Sequence, residues 1–170
     1  MLKALVIGSF VALVSSRAVA ATTKSSMDDP QSYSATSPLL GSWSLDISRL
    51  PMPPEQRPKS VRFTFENAGS EKWTVHVDIV YAPGQEVHPV STGALDGTAA
   101  IVANSPEADT VSMKQPAPNV LVMALQKGGV LVSTRIYSVM PDNRSLLETV
   151  VYPGNDSSLV MRTNYFRRVR

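Results

Sequence analysis

The sequence predicts an all-β protein, a small up-and-down antiparallel β-barrel of roughly eight to ten strands. Three observations carry that expectation. Apolar and polar residues alternate with period two in segment after segment, turn-forming clusters recur at intervals of about 8 to 15 residues, and no window sustains the i, i+3, i+4, i+7 apolar spacing of a helix. Short antiparallel strands in such number must pair as two sheets or close on themselves, and closure removes the exposed edges.

The strongest segment is Lys72 to Tyr81, in which Trp73, Val75, Val77, Ile79 and Tyr81 share one face while Thr74, His76 and Asp78 take the other. Strand geometry turns successive side chains to opposite faces, so this is a half-buried strand. Before it, Val61, Phe63 and Phe65 alternate with Arg62, Thr64 and Glu66. Further strands are expected at Trp43 to Ile47, Glu86 to Thr92, Thr98 to Ala103, Thr110 to Lys114, Val120 to Gln126, Val130 to Val139, Leu146 to Tyr152 and Leu159 to Val169. Turns are expected at Asn67 to Gly69, Pro83-Gly84, Asp96-Gly97, Pro116 to Pro118, Lys127 to Gly129, Pro141 to Asn143 and Pro153 to Asp156. One loop differs. Pro51 to Pro58 holds four prolines in eight residues; it is stiff and barred from a central strand, and suits either a lid over the barrel mouth or a brace on its outside.

Charge and cysteine content bound the rest. The chain has 170 residues with 16 Lys and Arg against 14 Asp and Glu, and no cysteine. Disulfides, thiolate zinc sites and thiol nucleophiles are thereby excluded. Both excess positive charges, Lys3 and Arg17, lie in the first twenty residues, where an apolar run from Ala4 to Val14 precedes Ala18-Val19-Ala20. That pattern reads as a secretory signal over residues 1–20 with cleavage after Ala20, and the run falls well short of the ~20 apolar residues a spanning helix needs. Without a cysteine after it, a lipid anchor is excluded. Residues 21–38 are rich in Ser, Thr, Asp and Pro and read as a flexible leader; residues 39–170 form the barrel domain. The expected location is periplasmic or secreted, with no membrane span once the signal is cleaved.

Gly41-Ser42-Trp43, preceded by the polar leader and followed by Leu45 and Ile47, resembles the first-strand signature of lipocalin-like barrels. In that superfamily, the calycins, the tryptophan closes the barrel floor and an arginine of the last strand packs across its ring. The resemblance therefore implies barrel closure by Gly41, Trp43 and either Arg167 or Arg168. Arg167, which shares a face with Met161 and Tyr165, is the favoured partner. The stretches Asn104 to Lys114, Gly128 to Thr134, Tyr137 to Asp142 and Leu146 to Thr149 are similar to a group of exported bacterial proteins of lipocalin-like fold and unassigned role. The chain lacks a Thr-Asp-x-x-Tyr motif and disulfide cysteines, which sets it apart from typical lipocalins.

If one apolar face per strand turns inward, Phe63, Phe65, Trp73, Val75, Val77, Tyr81, Val122 and Tyr137 line the interior and are the expected ligand-binding residues. Small barrels either fill that space or hold one ligand. The residues leave the choice open. His76, Asp78 and His88 can be drawn as a metal or acid–base site, but periodicity puts His76 and Asp78 on the solvated face. Glu107 and Asp109 beside Pro106 read as loop carboxylates. A Gly-x-Ser-x-Gly elbow, a phosphate loop, a dinucleotide fingerprint and a zincin helix are all absent from the sequence, so no catalytic residue, metal or cofactor is expected. Arg135, with Arg62, Glu66 and Asp78, is read as belonging to a charged outer face that lipid would not tolerate, which argues against a membrane barrel. Arg162, Arg167 and Arg168 interleave with Tyr165 and Phe166 as in single-strand nucleic-acid platforms, but an exported chain of balanced charge supplies no electrostatic funnel. The expected partner is a small apolar or amphipathic ligand and not a nucleic acid. The alternatives are a cyclase- or isomerase-type barrel enzyme, or an envelope protein-binding or inhibitor module.

Overall fold

The computed structural model describes residues 36–156 and 158–169. The expected signal segment 1–20 and most of the expected leader lie outside the described residues. Eleven strands follow in order: β1 Gly41–Leu45, β2 Ser60–Gly69, β3 Lys72–Ala82, β4 Gln85–Val87, β5 Val90–Ala94, β6 Asp96–Ala103, β7 Thr110–Ala117, β8 Val120–Lys127, β9 Val130–Val139, β10 Ser145–Pro153 and β11 Leu159–Arg168. Between the strands lie single 3-10 turns at Ile47–Arg49 and Pro54–Gln56.

Every ladder is antiparallel, and β2 pairs with both β1 and β3, so ten strands close on themselves while β4 adds only to β3. Chain neighbours are sheet neighbours all the way round, apart from the short β4, which makes this an up-and-down barrel. The sequence places the strands closely, with differences that have local causes. The segment expected from Glu86 to Thr92 divides at His88-Pro89 into β4 and β5, because proline brings no N–H to a ladder. The first strand ends at Leu45 and the chain turns into a 3-10 turn where Ile47 was expected to extend it.

Two hairpins show how the turns are made. Between β8 and β9, Gly128 and Gly129 both carry positive φ, 57° and 78°, the two-residue geometry that matches strand twist. Between β2 and β3 the expected turn at Asn67 to Gly69 is displaced. β2 runs on through a bulge between Asn67 and Gly69, and Ser70 and Glu71 turn the chain with φ of 50° and 56°.

One end of the barrel is filled. Trp43, Trp73, Leu39, Phe65, Met113, Leu121 and Leu146 are all fully buried there. Gly93, paired with Trp73 across the ladder, leaves no room for a side chain, since a Cβ would sit 2.8 Å from Met113 Cε and 2.9 Å from Ala100 Cβ. The tryptophan indole of Trp43 donates to the Leu39 carbonyl at 2.8 Å. Just upstream, Ser37 is 5% exposed and its hydroxyl donates to the Pro118 carbonyl at 2.6 Å. The barrel domain thus starts at least two residues before Leu39, and the end of the expected leader is part of its floor.

Arg168, not Arg167, packs over Trp43, with its guanidinium carbon 4.1 Å from the ring. The register explains the correction. Trp43 pairs directly with Arg168 on β11, so the two side chains share the inner face, together with Phe166. The face shared by Arg167, Tyr165 and Met161 is the outer one, where Met161 is 71% exposed. Arg168 also donates to the carbonyls of Leu40 and Asn143 at 2.8 and 2.9 Å, and to that of Pro38. Its guanidinium thus ties the chain before β1 and the β9–β10 turn to the floor. Gly41, with φ of 105°, passes so near that a Cβ there would lie 3.1 Å from the Arg168 guanidinium.

Replacing Arg168 by alanine removes a cation–π contact and three charge-assisted hydrogen bonds, and should lower stability by about 2 to 4 kcal/mol. Arg167→Ala, on the solvated face, should change it by no more than about 0.5 kcal/mol. Urea unfolding midpoints of the two variants make the comparison, and equal losses would refute the clasp.

Candidate functional site

Above the floor the barrel is hollow. A cavity of about 560 Å³ occupies its upper half. The aromatic layer that separates cavity from floor is continuous: Phe63 lies 5.5 Å from Tyr137 and 5.4 Å edge-on from Phe166, and Phe65 lies 5.5 Å from Tyr137. From that layer the walls rise through Val75, Val77, Ile79, Val111, Met123 and Leu125. Leu50, Pro51, Met52, Gln56 and Pro58 complete the lining from above. The proline-rich loop is therefore a cover over the mouth, and the Arg57 guanidinium fixes its shape by donating to the Met52 carbonyl at 2.9 Å.

Of the eight residues expected inside, Phe63, Val75, Val77, Tyr81 and Tyr137 line this cavity, Tyr81 at the mouth and 46% exposed. Phe65 and Trp73 point inward but lie below it, in the floor. Val122 is a correction. On β8 the buried positions are Leu121, Met123 and Leu125, which leaves Val122 on the outer face. An apolar residue at every position from Val120 to Leu125 hid the parity in the sequence.

One stretch of wall is polar, and register assembles it. Glu148 on β10 lies opposite Tyr137 on β9 and Asn164 on β11. The Tyr137 hydroxyl donates to Glu148 Oε1 at 2.7 Å, Asn164 Nδ2 donates to Oε2 at 2.7 Å, and Arg135 Nη1 donates to Oε1 at 2.9 Å. The other guanidinium arm, Nη2, grips both oxygens of Glu107 at 2.6 and 2.8 Å, and Ser133 donates to the same carboxylate at 3.0 Å. Glu148 is 1% exposed, and a carboxylate so deep is stable only when its lone pairs meet donors of this kind.

This cluster overturns two expectations. Arg135 faces the interior, not the outer surface, because it shares a face with Ser133 and Tyr137. Glu107 is not merely a solvated loop carboxylate but half of an ion pair at the chamber wall, with both its oxygens on one guanidinium nitrogen. The first was open to sequence reasoning, since Tyr137 inward forces Arg135 inward two residues away. Glu148 and Asn164 gave weaker signals; Glu148 is the polar exception between Leu146 and Val150 on its inward face, and Asn164 shares its face with Arg162, Phe166 and Arg168.

The electrostatics follow from burial. Burial first, then the neighbouring Glu148 carboxylate, pushes the Tyr137 phenol well above the usual tyrosine range. Burial opposes the charge on Arg135, but Tyr137, Glu148 and Glu107 outweigh it and hold the guanidinium above the usual arginine range. Both carboxylates of the cluster are held by donors from its other members, while the Arg135 Nε is buried there without a hydrogen-bond partner.

His76, Asp78 and His88 stand on the outside. His88 Nδ1 meets Asp78 Oδ1 at 2.8 Å and its Nε2 lies 3.4 Å from Glu86, while His76 lies 3.5 Å from Glu66. The hydrogen bond with Asp78 is the main reason that the His88 pKa is raised from its ordinary value. All five side chains of these pairs are 43% exposed or more, as surface ion pairs. Among the described residues no group of three His, Asp or Glu side chains is arranged to hold a metal, and no helix is long and apolar enough to cross a membrane. No protein-family model matches the chain, and no curated protein matches it in sequence.

Tyr137 yields a pH signature. Unfolded, its phenol ionises near pH 10, whereas the folded protein holds the proton to higher pH. Its stabilising effect is complete below about pH 10 and is lost as pH rises through the folded value. Urea midpoints measured from about pH 8 to 11 should therefore fall more steeply for the wild type than for Tyr137→Phe. Parallel curves would show that this phenol is not held neutral by its surroundings.

Proposed function

We propose that the protein is an exported lipocalin-like carrier that holds one small apolar or amphipathic molecule inside its barrel. The observation that carries this reading is the chamber itself. Its volume of about 560 Å³ falls in the roughly 300 to 1,000 Å³ range of small-molecule sites. It is walled mostly by aliphatic and aromatic side chains, from which apolar burial draws about 25 cal/mol per Å².

Membership of the calycins finds support in the Gly41-Ser42-Trp43 opening and in the packing of a last-strand arginine over Trp43. Export rests on the signal-like pattern of residues 1–20, and implies a periplasmic or secreted location. A barrel enzyme of cyclase or isomerase type is the second reading, favoured by one observation, the Glu148 carboxylate and Tyr137 hydroxyl on the chamber wall. On the carrier reading, a molecule held in the barrel leaves it chemically unchanged.

Native mass spectrometry of protein purified from its own host should show a single added mass per chain, and the molecule released on denaturation should match the one bound. An apolar fluorescent probe should bind with the same stoichiometry. Val77→Trp, which fills the middle of the chamber, should weaken that binding by at least about tenfold while leaving a cooperative unfolding transition. A probe that binds Val77→Trp as well as wild type would place its site elsewhere. A released product that differs from the molecule supplied would move the assignment to an enzyme.

A further inference from the structure

Two guanidinium groups line the chamber, and they are in opposite situations. Arg135 is bonded to two carboxylates, Glu148 and Glu107. Arg162 stands on the inner face of β11, opposite Val150, near the mouth. Its guanidinium carbon lies 5.6 Å from the centre of the Tyr152 ring, itself part of the lining. Among the described residues Arg162 makes no ion pair and no side-chain hydrogen bond. Five N–H donors in a planar fork therefore remain unassigned at the top of an apolar chamber.

From this we infer that the carried molecule is an amphipathic anion, with its carboxylate or phosphate head on Arg162 and its apolar tail reaching down toward Phe63 and Val75. The inference rests on the carrier reading and names the chemical class of its cargo. A planar guanidinium favours carboxylate and phosphate because two parallel N–H groups match two of their oxygens. Tyr152 offers its ring face to the guanidinium and leaves the N–H edge of the fork available to a ligand.

The competing charges in the chamber do not cancel this preference. Glu107 and Glu148 together exceed Arg135 by one negative charge, but that surplus is met by donors from Tyr137, Asn164 and Ser133 as well. Arg162 is left as the cation without a local partner. Its exposure at the mouth also fits the division of an amphiphile, whose head keeps contact with water while its tail is buried.

The test compares decanoate, decanol and decyltrimethylammonium, which share one tail, by titration calorimetry on the wild type and on Arg162→Gln and Arg162→Lys. Wild type should bind decanoate roughly tenfold more tightly than decanol, and the ammonium compound least. Arg162→Gln should lose the preference for decanoate while its decanol affinity stays within about twofold of wild type. Arg162→Lys should retain part of the preference, and raised salt should reduce it in the wild type. Decyl phosphate in place of decanoate tells whether the head is read as a carboxylate or as any oxyanion. Equal affinity of wild type for decanoate and decanol, or a preference that survives in Arg162→Gln, overturns the assignment of Arg162 and leaves the carrier reading standing. Failure of all the probes to bind overturns both.

Discussion

Closure of the sheet is the constraint on which everything else in this molecule depends. Because β2 pairs with β3 on one side and β1 on the other, no strand of the ten has an open edge, and every inner face looks across at another. Closure also sets the width. Barrel diameter grows with strand number, and about eight strands already give an interior that side chains can only just fill. Ten strands enclose more than these side chains occupy. The floor takes two tryptophans, Phe65 and a glycine that admits no Cβ, and above it the aromatic layer of Phe63, Tyr137 and Phe166 marks where filling stops. The hollow is thus a consequence of strand number and of where the large side chains were placed.

Strand positions and inward faces were largely legible in the sequence, because an antiparallel strand with one wet face must alternate. Val75, Val77 and Phe63 could be assigned to the interior from that rule alone. It fails where both faces are apolar, as at Val122. At Arg135 parity prevails over charge, because Tyr137 two residues on fixes the direction. The choice between Arg167 and Arg168 turned on register, which no single strand's pattern contains. Trp43 selects Arg168 because β1 and β11 pair with those two residues opposite each other, and β1 offers only five residues from which to infer it.

The polar wall was less legible for a physical reason. Its members are far apart in sequence, Glu107 in a loop, Ser133, Arg135 and Tyr137 on β9, Glu148 on β10 and Asn164 on β11, and apart from Tyr137 each alone reads as an ordinary surface residue. Only the cross-strand register brings Tyr137, Glu148 and Asn164 to one level of the barrel. Burial then turns that juxtaposition into a requirement. A carboxylate at the depth of Glu148 with any donor removed would be left partly unpaired, at a cost far above that of a surface pair. The register of β9, β10 and β11 and the polar cluster therefore specify each other. A slip of one residue would send Glu148 outside and bring Leu147 or Thr149 into the place where Arg135 and Tyr137 need an acceptor.

That mutual dependence separates the two arginines of the chamber by role. Arg135 is part of what holds three strands in register, and a ligand could reach it only by displacing Glu107 or Glu148 from bonds of 2.6 to 2.9 Å. Arg162 is not needed for register, since Val150, its partner across the ladder, would pair with any residue. The chain nonetheless keeps a long cation there, where an apolar residue would extend the wall of Val111, Leu125 and Val150 to the mouth. Placing it near the mouth, against Tyr152, adds an unpaired cation to a lining whose deeper polar groups, Arg135, Glu148 and Tyr137, are already engaged with one another. An amphiphile would match the two parts of the lining that the protein leaves without partners, the aliphatic and aromatic walls and the Arg162 guanidinium.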